Sequence, residues 1–119
     1  LAAHPKVARV IYPGLQTGAL RRRADAILHG GYGALVGFEV KGGAEEALRF
    51  IDALTLLYHL ANIGDSRSLA VHPATITHAQ LSPEEQARAG ISPSFVRLSL
   101  GLENSADIIG DIAQALEKI

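Results

Sequence analysis

The chain has no cysteine, no methionine and no tryptophan, and its aromatic side chains are three tyrosines and three phenylalanines. Lack of cysteine rules out disulfides, thiolate metal sites and a thiol nucleophile, and fits a reducing compartment such as the cytoplasm. Without methionine, and with Leu1 at its head, the sequence reads as a piece of a longer translation product. Charge of neither sign dominates: eleven basic and twelve acidic residues leave a formal net charge of -1. So even a balance gives no field for gathering nucleic acid or an anionic membrane. The one basic run, Arg21-Arg22-Arg23, has no interleaved aromatics and reads as a solvated helix face. No apolar run approaches the roughly 20 residues that cross a bilayer, and no signal peptide reads from the first residues.

What remains is a soluble globular composition, 48% hydrophobic and 19% charged over 119 residues, far from the polar, charged signature of disorder. That length suits one domain, residues 1–119, able to bury roughly two-thirds of the surface its open chain exposes.

Strand and helix signals alternate along it. Val7 to Tyr12 is rich in β-formers and stops at Pro13-Gly14, a turn pair. Leu20, Ala24, Ile27 and Leu28 recur at helical spacing, which predicts a helix over 17–29 ended by Gly30-Gly31. From Ala34 to Val40 the period is two. Then Ala47, Leu48, Ile51, Leu54 and Tyr58 line one side of a helix that has Glu45 and Glu46 in its first turn, where the helix dipole favours them. Ser68 to His72 reads as a short strand. Ser82-Pro83-Glu84-Glu85 combines an N-cap, a proline at the first helical position and a capping-box glutamate. Phe95 to Leu100 alternates, with Val96, Leu98 and Leu100 on one face and Arg97 and Ser99 on the other. Asn104 caps a last helix with the stripe Ile108, Ile112, Leu116 and Ile119. The expected fold is α/β (α+β), a small sheet of about four strands with helices packed against it.

The polar groups give few candidate sites. His4, His29, His59, His72 and His78 offer no pair at metal-ligand spacing, and His72 and His78 are expected to hydrogen-bond backbone around the turn at Pro73. The glycines of residues 30–33 and 42–43 match neither the P-loop nor the dinucleotide fingerprint, and no serine lies in a nucleophile elbow. Arg97 stands out. A guanidinium between Val96 and Leu98 on a strand needs an anionic partner, and its fork fits a carboxylate bidentately. That partner is either an internal Asp or Glu or an external ligand, and spacing does not choose between them.

The wording of two stretches bears on that choice. "ANIGDSRSLAVHPATITH", residues 61–78, and "LSPEEQARAGISPSFVRLSLGLE", residues 81–103, closely resemble the C-terminal domain of the Cys/Met metabolism family of pyridoxal-phosphate enzymes. The likeness runs from "HPKVARVIYPGL" through "GYGALVGFEVKGG" to the last helix. Within the family, "ANIGDSRSL", "KGG" and "YPGL" look most like the O-acetylhomoserine sulfhydrylases, with cystathionine or methionine γ-lyases and γ-synthases as the alternative branch.

The resemblance implies a set of roles. Arg97 grips the substrate α-carboxylate, Ser68 sits beside it, and Arg67 faces the pocket at a position that varies among the family's activities. No catalytic role is implied for any residue of this chain, nor for His72, Pro73 or His78. The implied reaction is γ-replacement, in which sulfide takes the place of acetate on O-acetyl-L-homoserine to give homocysteine, with pyridoxal phosphate as electron sink. A lysine in a larger, preceding domain holds that cofactor. None of Lys6, Lys41 or Lys118 has such a context, so this chain alone is expected to be inactive. The family also implies a homo-oligomer, a tetramer when intact. A competing expectation is a free-standing module that binds small carboxylates through Arg97 and Ser68.

Overall fold

The computed structural model describes residues Leu1–Ile119. Ten elements follow one another: strand β1 (Val7–Ile11), a 3-10 turn (Pro13–Leu15), helix α1 (Gly18–Ile27), β2 (Leu35–Val40), α2 (Ala44–Asp52), β3 (Tyr58–His59), β4 (Leu69–Val71), α3 (Pro83–Arg88), β5 (Phe95–Ser99) and α4 (Ser105–Glu117). The strands form one five-stranded sheet in the order β1-β2-β5-β4-β3. All neighbours are antiparallel except β3 and β4. This is the expected α/β architecture, with one more strand than the four expected.

Period-two patterning decides which side of the sheet is covered. Phe38, Val40, Val96, Leu98 and Ala70 project to one face and join Ala47, Phe50 and Ile51 of α2 and Ile108, Ile112, Ala115 and Leu116 of α4 in a single buried cluster. Phe38 and Phe50 meet edge to face, ring centres 5.3 Å apart. The opposite face has no such cluster. Ile11 and Leu35 there are 39% and 42% exposed, and Arg97 stands among them.

Helix ends follow their chemistry. Ser82 and Glu85 form the reciprocal capping box at the start of α3, and Gly90, at φ 75°, closes it with the amide of Ile91 donating back to Gln86 O. The Asn104 side chain accepts from Ala106 N–H at the start of α4. No helix is long and apolar enough to cross a membrane.

Two expectations need correction. The second helix stops at Asp52, so Leu54 and Tyr58 are not on its stripe; Phe50, not Leu48, is buried with Ala47 and Ile51. The cause lies in α4. The Asp111 carboxylate accepts from Thr55 N–H and hydroxyl and from Leu56 and Leu57 N–H, at 2.7–3.0 Å, and draws those amides out of the helical ladder. Tyr58 and His59, released from helix, pair with Leu69 and Ala70 as the fifth strand. The first helix also ends earlier than expected, at Ile27, and buries none of its residues; its stripe of Leu20, Ile27 and Leu28 stays exposed.

Candidate functional site: an unpaired arginine on the open face

Arg97 is held by its strand at the centre of the sheet, with Gly37 of β2 opposite it on one side and Val71 of β4 on the other. Phe95, one step along the same face, lies over Gly37. A Cβ there would stand 2.6 Å from the Phe95 ring, so glycine is what lets the aromatic ring settle beside the arginine. Ile11, Tyr32, Leu35 and Phe95 wall a cavity of about 480 Å³ that Arg97 also lines. A second cavity, about 360 Å³, lies between the sheet and α4; nearly all its lining is apolar, so it has little to orient a charged ligand.

The guanidinium has one protein partner. It donates to Asn62 O at 3.1 Å, and no carboxylate of the chain pairs with it. Its Nε is the one buried side-chain nitrogen or oxygen left without a hydrogen-bond partner. An internal ion pair, one of the two partners open from the sequence, is therefore not what this arginine makes. Leaving a buried donor on a charged group unsatisfied costs about 1–3 kcal/mol or more, a cost an arriving anion removes.

Arg67 is placed differently. Its amide and guanidinium bond to Asp65 Oδ1 at 3.0 and 3.4 Å, and its guanidinium carbon stands 4.8 Å from the centre of the Tyr58 ring. The amide of Arg67, then its side chain, hold the Asp65 carboxyl below its usual range. Arg67 is thus exposed and already clamped between a carboxylate and an aromatic face.

Ser68 is fully buried. Its N–H donates to Glu103 Oε1 at 2.6 Å, its hydroxyl donates to Glu103 Oε2 at 2.8 Å, and the same hydroxyl accepts from Gly101 N–H at 2.9 Å. The Ser68 amide is the main influence holding the Glu103 carboxyl below its usual range. Asn62, Gly101 and Glu103 were not singled out from the sequence. Asn62 lies in "ANIGDSRSL" and Gly101 and Glu103 in the "GLE" after the strand, within the two stretches that carry the family resemblance.

None of the five histidines lines the Arg97 cavity. His72 is buried, its Nε2 2.7 Å from Pro93 O and its Nδ1 2.9 Å from the Thr75 hydroxyl; the carbonyl only accepts, so Nε2 carries the proton. The His78 ring meets the Thr77 hydroxyl at 2.8 Å rather than backbone. No group of three His, Cys, Asp or Glu side chains gathers at metal-binding geometry.

The lysines do not form a cofactor site. Lys6 Nζ donates to Leu116 O and Glu117 O at 2.9 and 3.0 Å, capping the C-terminal end of α4. None of Lys6, Lys41 and Lys118 lines a cavity. The residues present therefore do not fit pyridoxal phosphate.

The model of the Cys/Met metabolism PLP-dependent enzyme family matches residues 1–117. O-acetyl-L-homoserine sulfhydrylase of Leptospira meyeri is 53% identical over 120 residues, covering 100% of this chain and 27% of that protein. An L-methionine gamma-lyase of Fusobacterium nucleatum subsp. polymorphum is 44% identical over 119 residues, 100% of this chain and 30% of that protein. Among solved structures, a putative O-acetylhomoserine (thiol)-lyase of Campylobacter jejuni, crystallised with N′-pyridoxyl-lysine-5′-monophosphate, superposes with a TM-score of 0.88 at 43% identity over 97% of this chain and 27% of that one. The chain thus spans under a third of the length of these relatives.

Proposed function

This chain belongs to the Cys/Met metabolism PLP-dependent enzyme family, and from that premise we propose that it is the C-terminal, substrate-side domain of an O-acetylhomoserine sulfhydrylase. The observation that carries the site is the buried, partnerless Nε of Arg97 on the sheet face left open by the helices. Arg97 receives the α-carboxylate of O-acetyl-L-homoserine. Its fork fixes two oxygens at once, which sets the rotation of the amino acid about its Cα as well as its position. Asn62 O holds the guanidinium in place from behind. Ser68, pinned to Glu103, and Arg67, on Tyr58, do not line the cavity that Arg97 lines, and their places beside the carboxylate rest on the family resemblance.

The sulfhydrylase branch is favoured over the lyase by the higher identity, 53% against 44%. Pyridoxal phosphate belongs to the part of the protein outside this chain, because no lysine here fits it. The chain contributes orientation and no catalytic residue, and by itself it is inactive. The intact protein is proposed to act as a cytoplasmic homo-oligomer, a tetramer, which is one way to cover Leu20, Ile27 and Leu102, 63%, 62% and 86% exposed here.

The test is Arg97→Ala in the full-length protein. Removing a bidentate charged contact raises KM for O-acetylhomoserine by about tenfold or more and lowers turnover, because a misplaced substrate is also a poorly aligned one. Unchanged kinetics would make Arg97 a structural residue and remove the basis of the reading.

A further inference from the structure

The Arg97 guanidinium hydrogen-bonds the rest of the chain at one point, and that point lies on a segment with little structure of its own. Asn62 sits in residues 60–68 between β3 and β4, where no helix or strand fixes the backbone. The segment is tied to β3 by Tyr58 N–H donating to Ser68 O at 3.0 Å and to β5, Arg97's own strand, by Gly64 N–H donating to the Ser99 hydroxyl at 3.4 Å, and its remaining anchors come from the residues just after β5. Leu102 N–H donates to Ser66 O at 2.8 Å, and Gly101 N–H donates to the Ser68 hydroxyl at 2.9 Å. Gly101 is pressed so closely onto the segment that a Cβ would stand 2.4 Å from Ser66 O and 2.5 Å from the Arg67 carbonyl carbon. Glu103 completes the clamp with both oxygens, one on the Ser68 amide and one on its hydroxyl.

We propose that Glu103 is a positioning residue of the carboxylate site, acting through Ser68 to fix the 60–68 segment, and with it Asn62 O, against the Arg97 guanidinium. The inference rests on the carboxylate-site reading of Arg97. Two features favour a role in the site over general stability. The clamp joins the residues just after the arginine's strand to the segment that carries the arginine's hydrogen-bond partner, so slack in it lets Asn62 O shift relative to the guanidinium. Glu103 also meets the amide and the hydroxyl of Ser68 with two charged acceptors; an amide of the same shape would lose the charge on both bonds and force the hydroxyl to reverse and accept from an NH₂. The Ser68 hydroxyl is fully committed to this clamp, so Ser68 serves the site by the same route.

The experiment uses the full-length protein and compares Glu103→Gln, Ser68→Ala and Arg97→Lys by steady-state kinetics with O-acetylhomoserine, alongside melting temperature. The expected result for Glu103→Gln is a KM increase on the order of tenfold with kcat changed much less, because a charge-assisted bond is lost behind the site while the reacting centre is untouched. Ser68→Ala raises KM in the same direction by less, and the double variant is no worse than Glu103→Gln alone, since both remove one clamp. A lower melting temperature with unchanged KM in Glu103→Gln overturns the proposal and leaves Glu103 structural. Should that variant fail to fold, an unchanged KM in Ser68→Ala overturns it instead. Arg97→Lys keeps the two failures apart: if it too leaves KM unchanged, the carboxylate-site reading has failed, and if it raises KM while Glu103→Gln does not, only the role of Glu103 has.

Discussion

Asp111 offers the most quantitative prediction. It is 6% exposed, yet it stays ionised: burial alone would raise its pKa, but the amide and hydroxyl of Thr55 and the amides of Leu57 and Leu56 more than offset that and bring it down to about 2. The ordinary value for an aspartate carboxyl, taken for the open chain, is 3.8. A gap of that size corresponds to a contribution of about 2 kcal/mol to folding. Since the folded value is the depressed one, the contribution is complete above pH 3.8 and fades as pH falls toward 2. Asp111→Asn keeps the shape but turns an NH₂ toward one or two of those donors. It should therefore cost about 2–4 kcal/mol at neutral pH, from lost charge-assisted bonds and a donor left facing a donor. Urea unfolding of parent and variant at pH 7, 4 and 2.5 checks this. The difference should be full at the first two and shrink at the third, where the parent's carboxyl begins to protonate. A difference that is the same at all three values, or below about 0.5 kcal/mol at pH 7, would refute the assignment of Asp111 as the anchor of the α2–β3 connection.

Two further outcomes follow from the site. Gly37→Ala places a methyl 2.6 Å from the Phe95 ring. It should destabilise by about 1–3 kcal/mol and also raise KM, as Phe95 is pushed from its seat beside Arg97; thermal unfolding and kinetics on the full-length protein read both. The isolated chain, mixed with pyridoxal phosphate and examined by intact mass after borohydride reduction, should show no stoichiometric lysine adduct, because Lys6 is committed to the end of α4 and none of the three lysines lines a cavity. A single-site stoichiometric adduct would overturn the assignment of cofactor binding to the rest of the protein.

β2, β5 and α4 were legible in the sequence because one face of each is buried. Val36, Phe38 and Val40, or Val96, Leu98 and Leu100, announce their strands by alternation. The capping residues of α3 and α4 were equally plain, since their chemistry is local. What could not be read was long-range. The apolar letters of residues 54–60 continue a helical period, and nothing within that window shows that a carboxylate more than fifty residues later captures its amides. The same holds for Ser68, whose partners Gly101 and Glu103 are more than thirty residues away. Arg97 was visible as an anomaly for a local reason, a charge in an apolar strand. Its lack of an internal counter-ion was visible only once the fold had brought every carboxylate to its place.

That lack connects the fold with the proposed role. α2 and α4 pack on the face of the sheet that carries Phe38 and Val96, and the alternation of β5 then sends Arg97 to the face they do not cover. A guanidinium on the helix-packed face would meet only hydrocarbon, and the cost of burying it there would exceed anything a hydrogen bond returns. A carboxylate placed nearby within the chain would satisfy it and so compete with any ligand. The chain has an acidic side chain at hand, Asp65, but its oxygens are turned to Arg67, and Glu103 is turned to Ser68. Each carboxylate of this neighbourhood is engaged by a donor other than Arg97, and that leaves the guanidinium its charge, one carbonyl to steady it, and an open side toward an arriving anion.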